Sequence, residues 1–500
     1  MRQPTEAPAP APSEPSPAGT DGLWRRRIGI LLGIAAFCAI AFIPSGLHRI
    51  EGFGHRPAYA AAAATMMAVW WFTEALPIAI PALVPLLLFP LLDVFGKGVA
   101  DSARQSALPY VDPYIFLFLG GMTLGAGMEQ WGLHRRLALH IMRAIGTVPR
   151  RLLLGMLVAT STVSMWISNT ATAVMMVPIA MALLAQLERA NGGVRLKRFG
   201  AAIMLSVAYG ANVGGIGTKI GTATNSIFAG FLSEKLGYEI GFLHYMAMGF
   251  PFVVLFIPVA WGVLWLAGRA DAPASDLGRE VLDQELRSLG TMSRGERTVL
   301  AIFVGAAVLW IFGAPLKDAL TPLAKGVGFR LQGKHVEAGV AMGAALLLFA
   351  LRGVSFQALR RVPWDTLVLL GGSFAMAAGI EGSGLSSWMA SHLDVVTRLS
   401  LMPQLLVATS ATVFLTAVAS NTATVNVMLN LLPRSMTVLS ACAIASSCDF
   451  ALPAGTPPNA IVFGSGYVRL PTMMRIGFTL DLLAVVLIAL YGYLYVQHLF

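Results

Sequence analysis

Apolar runs of about twenty residues, the length a helix needs to cross a hydrocarbon core of about 30 Å, follow one another along most of this chain. Passes are expected near 28–44, 58–75, 77–95, 113–143, 199–233, 241–268, 297–315, 336–352, 363–391, 433–464 and 470–497. Two further apolar stretches, 152–187 and 403–432, break the pattern. Each carries Ser-Asn-Thr-Ala-Thr at its centre, at 168–172 and again at 420–424. A polar cluster in the middle of an apolar run suits a hairpin that enters and leaves on one side.

The recurrence extends beyond the pentapeptide. Gly120-Gly121 and Gly371-Gly372 precede the two copies, and Gly221-Thr222-x-x-Asn225-x-Ile227 and Gly455-Thr456-x-x-Asn459-x-Ile461 follow them. Four complete passes separate 113–143 from its counterpart 363–391, and hairpins return to their own side. The two halves are therefore expected to run antiparallel, as an inverted repeat. Repeat-built secondary transporters place their sites at the midplane, between helices broken at equivalent points of two such halves.

Composition narrows the class further. The 500 residues are 56% hydrophobic and 12% charged, with a mean hydropathy of +0.71, which excludes an ordinary soluble domain. The net charge of +10 could suggest a nucleic-acid partner. However, the basic residues lie in short loops, among them Arg25–Arg27, Arg135, Arg136, Arg150, Arg151, Arg360 and Arg361. With the N-terminus in the cytoplasm most of them fall inside, so the charge reports orientation and no nucleic acid is implied. The expected location is a bacterial inner (plasma) membrane.

Residues 1–22, rich in Pro, Ala and Ser, predict a disordered cytoplasmic tail. Residues 23–143 and 297–402 are read as scaffold helices. Residues 144–268 form the first transport half (hairpin 152–187, broken helix 199–233), and 403–500 the second (hairpin 403–432, broken helix 433–464). Residues 269–296 predict an amphipathic linker helix on the cytoplasmic surface. Cys38, Cys442 and Cys448 have neither disulfide nor metal spacing.

At a hairpin tip one helix ends in unpaired carbonyls and the next begins with unpaired N–H groups. The first end suits a cation, the second an anion. Asn169 adds an amide and Thr170 a hydroxyl; one turn earlier stand Ser164 and, in the second copy, Thr416. Gly at each break permits unwound backbone, and Pro453, Pro457 and Pro458 enforce it in the second copy. The sum is a pair of oxygen cages flanking a cleft lined with donors.

These residues carry a family resemblance. Trp71-Phe72-Thr73-Glu74-Ala75-Leu76-Pro77, Phe116-Leu117-Phe118-Leu119-Gly120-Gly121, both Ser-Asn-Thr tripeptides and Leu452-Pro453-Ala454-Gly455-Thr456-Pro457-Pro458-Asn459 resemble the divalent-anion/sodium symporter family, from about residue 60 onward. The resemblance implies an all-α polytopic protein of eleven transmembrane helices and two re-entrant hairpins, working as a homodimer by an elevator motion. It implies sodium at Ser164, Ser168, Asn169 and Gly221, and at Thr416, Ala419, Asn421 and Gly455. Substrate carboxylates would meet Asn169, Thr170, Thr222, Asn421, Thr422, Thr456 and Pro457. The cargo so implied is a C4-dicarboxylate such as succinate, malate or fumarate, with sodium as coupling ion and no cofactor. Citrate or sulfate carriage and sodium-independent exchange remain alternatives.

The chain departs from the family twice. Thr222-Ala223-Thr224-Asn225 lacks the usual proline, and Lys219 and Asp449 bring charge to the depth of the core, where it is costly unless paired. Opposite signs on two broken helices predict a Lys219–Asp449 pair. There is no His-Glu-x-x-His, no Gly-x-Ser-x-Gly and no ligand cluster, so an intramembrane enzyme is disfavoured.

Overall fold

The computed structural model describes residues 20–50, 52–273, 278–392 and 398–500; most of the expected N-terminal tail lies outside them. The described residues are helical throughout apart from loops, with one isolated bridge between Ile50 and Gly54 and no strand. Large apolar side chains such as Leu87, Leu91, Val254, Leu266, Leu346 and Leu494 point outward. In a membrane protein this outward surface is the one lipid covers.

Both interrupted stretches fold as helix–tip–helix. Pro149–Ser164 and Asn169–Ala190 form the first, Leu401–Val418 and Asn421–Leu431 the second. The tripeptide makes the tip because its serine caps the returning arm. Ser168 Oγ accepts from Ala171 N at 3.3 Å, and Ser420 Oγ from Ala423 N at 3.2 Å.

Each hairpin is followed by a helix broken at its Gly-Thr. Lys197–Gly215 resumes as Ala223–Lys235, and Met436–Ala445 as Pro457–Gly464. The unwound backbone between them is held by an asparagine. Asn225 Nδ2 donates to the carbonyls of Gly215 and Thr218 at 2.8 and 2.7 Å. Asn459 Nδ2 donates to those of Asp449 and Leu452 at 3.1 and 3.0 Å. The two copies interlock: Pro457–Gly464 packs on Asn169–Ala190, and Ala223–Lys235 on Asn421–Leu431.

Two expected passes are shorter than their apolar runs. The stretch 113–143 divides into Pro113–Gln130 and an amphipathic Leu133–Ile145, because Gly132 turns left-handed at φ +70. The stretch 363–391 divides likewise into Trp364–Gly382 and Leu385–His392 at Gly384, φ +82. Among the described residues six helical runs are long and apolar enough to cross a membrane. Two of the six, Asn169–Ala190 and Leu401–Val418, are arms of the hairpins, and the halves of the broken helices are not among them.

The segment Gly278–Ser288 is helical, and Glu285 and Asp283 pair with Arg135 and Arg143 of Leu133–Ile145. Arg136 adds a 2.7 Å bond to Glu296 and bonds to the carbonyls of Leu289 and Gly290. The connection between the halves is thus fastened to one amphipathic helix by three arginines.

Candidate functional site

The two tips and the two breaks meet at one cavity of about 590 Å³. Ser168, Asn169 and Thr170 line it from the first tip, and Ser420, Asn421 and Thr422 from the second. Gly221 and Thr222 face it from one break, Gly455, Thr456 and Pro457 from the other. Ser164, Thr416 and Ala419 lie behind this wall and are buried.

Behind each tip stands a triad of oxygens. Ser164 Oγ lies 2.8 Å from Asn169 Oδ1 and 2.7 Å from the Ala211 carbonyl oxygen. Thr416 Oγ1 lies 2.8 Å from Asn421 Oδ1 and 3.0 Å from the Ser446 carbonyl oxygen. Each triad sets three oxygens around a single hydroxyl hydrogen. Clustered oxygens of this kind are the ligands hard cations take. Sequence reading named the hydroxyls and asparagines but not the Ala211 and Ser446 carbonyls, whose own side chains give no sign of the role.

The cavity side also offers donors. Helices start at Asn169 and Asn421, both of which line the cavity, and the first N–H groups of a helix have no acceptor within it. Thr456 Oγ1 accepts from Asn212 Nδ2 at 3.1 Å and from Asn459 N at 3.4 Å, which leaves its own hydrogen to donate. Asn212 was not anticipated. Its Nδ2 also reaches the Asp449 carbonyl at 3.1 Å, so it ties the first copy's helix to the second copy's break. Across the seam Thr224 Oγ1 meets Ser447 Oγ at 3.2 Å.

The charges around the cavity are acidic. Glu129 and Asp365 line it, and none of the described lining residues is Lys or Arg. An anion entering here finds backbone and hydroxyl groups but no described basic side chain.

The expected Lys219–Asp449 pair does not form. Lys219 Nζ instead lies 2.6 Å from Glu337 Oε2, donates to the Ile240 carbonyl at 2.5 Å and sits 4.9 Å over the Tyr114 ring. Glu337 Oε1 takes the Phe242 N–H at 2.6 Å. Glu337 satisfies the ammonium from helix Gly333–Ala350, which leaves nothing for Asp449 to attract. Both Asp449 carboxylate oxygens are buried without a hydrogen-bond partner.

Comparison with known proteins agrees with this arrangement. The family described as the sodium:sulfate symporter transmembrane region matches residues 25–500. The sodium-dependent dicarboxylate transporter SdcS of Staphylococcus saprophyticus is 32% identical over 488 residues, covering 93% of this chain and 90% of the relative. SdcS of Staphylococcus aureus strain USA300 is 34% identical over 493 residues, with the same coverage of 93% and 90%. The solved YdaH transporter of Alcanivorax borkumensis has the same general fold, with a TM-score of 0.52 at 13% identity over 95% of this chain and 98% of that one. The repeated tips, the shared cavity and a match that runs almost from end to end make this chain a member of the sodium:sulfate symporter family, a membrane transporter rather than an enzyme.

Proposed function

We propose that the protein is a secondary transporter that brings C4-dicarboxylates such as succinate, malate or fumarate into the cell together with sodium. One observation carries the reading: two oxygen triads stand directly behind a single cavity that offers donors but no basic side chain. A dianion is held there by Thr170, Thr222, Thr422, Thr456, the Pro457 turn and the two asparagines. Sodium sits behind it, at Ser164, Ser168, Asn169 and Gly221 in one half and at Thr416, Ala419, Asn421 and Gly455 in the other. The SdcS relatives, sodium-dependent dicarboxylate transporters by name, support this choice of ion and cargo.

The wider reading is an inverted repeat of eleven passes and two hairpins, with the N-terminus in the cytoplasm of a bacterial cell and the protein in its inner membrane. Residues 144–268 and 403–500 move as an elevator against scaffold helices 23–143 and 297–402, within a homodimer. The interlocking of each broken helix with the other copy's hairpin supports one compact moving body.

The test is uptake of labelled succinate into proteoliposomes under an inward sodium gradient. Asn169→Ala and Asn421→Ala each remove a group that serves cation and substrate together. Each unmet partner in a desolvated site costs about 1–3 kcal/mol, so uptake should fall on the order of 100-fold at 1.4 kcal/mol per tenfold. Melting temperature and oligomeric state should be unchanged. Near wild-type uptake by either purified variant would remove the reading.

A further inference from the structure

The two breaks can be matched residue by residue through their asparagines. Asn225 holds carbonyls ten and seven residues before it, those of Gly215 and Thr218. Asn459 also holds carbonyls ten and seven residues before it, those of Asp449 and Leu452. Asp449 is therefore the counterpart of Gly215. Close approaches give the same correspondence. A Cβ on Gly221 would fall 2.4 Å from the Gly215 carbonyl oxygen, and one on Gly455 would fall 1.7 Å from Asp449 Oδ2.

Gly215 also shows where a side chain at this place points. A Cβ built on it would stand 2.6 Å from Asn169 Oδ1, one of the three oxygens of the first triad. In the first copy, glycine leaves that direction free. In the second, the residue at this place carries a carboxylate, and its Oδ2 lies against Gly455, which lines the cavity.

Among the described residues no donor or basic side chain compensates this carboxylate. Asp449 is fully buried and both its oxygens lack a donor. Its charged neighbour Asp481 is acidic too, and Asp481 Oδ1 is taken up by the Phe450 N–H at 3.1 Å. Lys219 is committed to Glu337. A buried carboxylate without donor or counter-ion is strongly unfavourable, and either a proton on it or a cation against it removes the penalty.

We propose that Asp449 is a charged ligand of the cation site at the second break, so that the two sites are unequal. The first is a neutral cage of Ser164 Oγ, Asn169 Oδ1 and the Ala211 carbonyl. The second adds the Asp449 carboxylate to Thr416 Oγ1, Asn421 Oδ1 and the Ser446 carbonyl. The inference rests on the sodium reading above and deepens it: the second site binds sodium more tightly and fills first, and the first site is the one that responds to sodium in the working range.

Equilibrium binding of radioactive sodium to the purified full-length protein tests this. Wild type should show a tight and a weak class. In Asp449→Asn the half-saturating sodium of the tight class should rise at least about tenfold, the effect of losing one charged partner. Asp449→Gly installs what the first copy carries at Gly215, and it reports the same loss should the asparagine variant fail to fold. Sodium binding as in wild type by either variant overturns the proposal and leaves sodium coupling intact. A wild-type protein that binds no sodium at all overturns both.

Discussion

Asn212 shows how a single side chain outside every motif can govern the site. Its amide donates to the Asp449 carbonyl and to Thr456 Oγ1, and lies 3.4 Å from Asn459 Oδ1. With that donor present, Thr456 is held as an acceptor on one side and a donor to the cavity on the other. Asn212→Ala leaves two buried acceptors short, at about 1–3 kcal/mol. The variant should melt earlier and need roughly tenfold more succinate for half-maximal uptake, at 1.4 kcal/mol per tenfold. Unchanged melting and half-saturation would show that the bond does nothing for the site. Sequence reading could not find Asn212, because its partners lie more than two hundred positions away and Ser446 stands at the matching place in the second copy. The tripeptides were legible for the opposite reason: they occur twice, and the physics of a helix tip says what they offer.

Among the elements, hairpins and broken helices could be read from the sequence because polar residues interrupt apolar runs at matching places. The partner of Lys219 could not. Glu337 lies 118 positions away, in a helix whose hydropathy reads as an ordinary pass. The signal available was only that a lone carboxylate in an apolar run needs a partner, as Lys219 does. The pair joins the unwound segment of the first break to Gly333–Ala350, with both side chains buried. Under the proposed elevator it also bridges moving and static bodies, so the motion has to open it. Removing one partner of a buried pair costs about 3–5 kcal/mol, whereas replacing both with apolar groups can be neutral. Lys219→Leu and Glu337→Leu should each lower the melting temperature sharply, and the double variant should recover most of the loss. Combining Lys219→Leu with Asp449→Ala should bring no recovery. Strictly additive single effects in the first cycle would deny the pair.

For the whole molecule, the cavity gives the proposed sodium coupling an electrostatic ground. Its lining brings Glu129 and Asp365 and no described basic residue, while its back wall is two oxygen triads. A dianion entering alone meets two acidic side chains and no described basic one. A cation entering the neutral first triad alone finds no charged ligand among its three oxygens. On the proposed reading each stabilises the other, because Asn169 and Asn421 stand in the triads and in the cavity wall at once. Thermodynamic linkage then fixes a quantitative relation. Sodium must raise succinate affinity by the same factor by which succinate raises sodium affinity, and couplings of about 1–3 kcal/mol, or 5–150-fold, are usual. Titrating succinate binding at a series of sodium concentrations, and sodium binding at a series of succinate concentrations, should give one common factor. Potassium at equal ionic strength should not substitute, since screening alone would act alike for both salts. If succinate affinity is indifferent to sodium and counterflow proceeds without it, the two triads hold no coupling ion, and the protein exchanges one dicarboxylate for another.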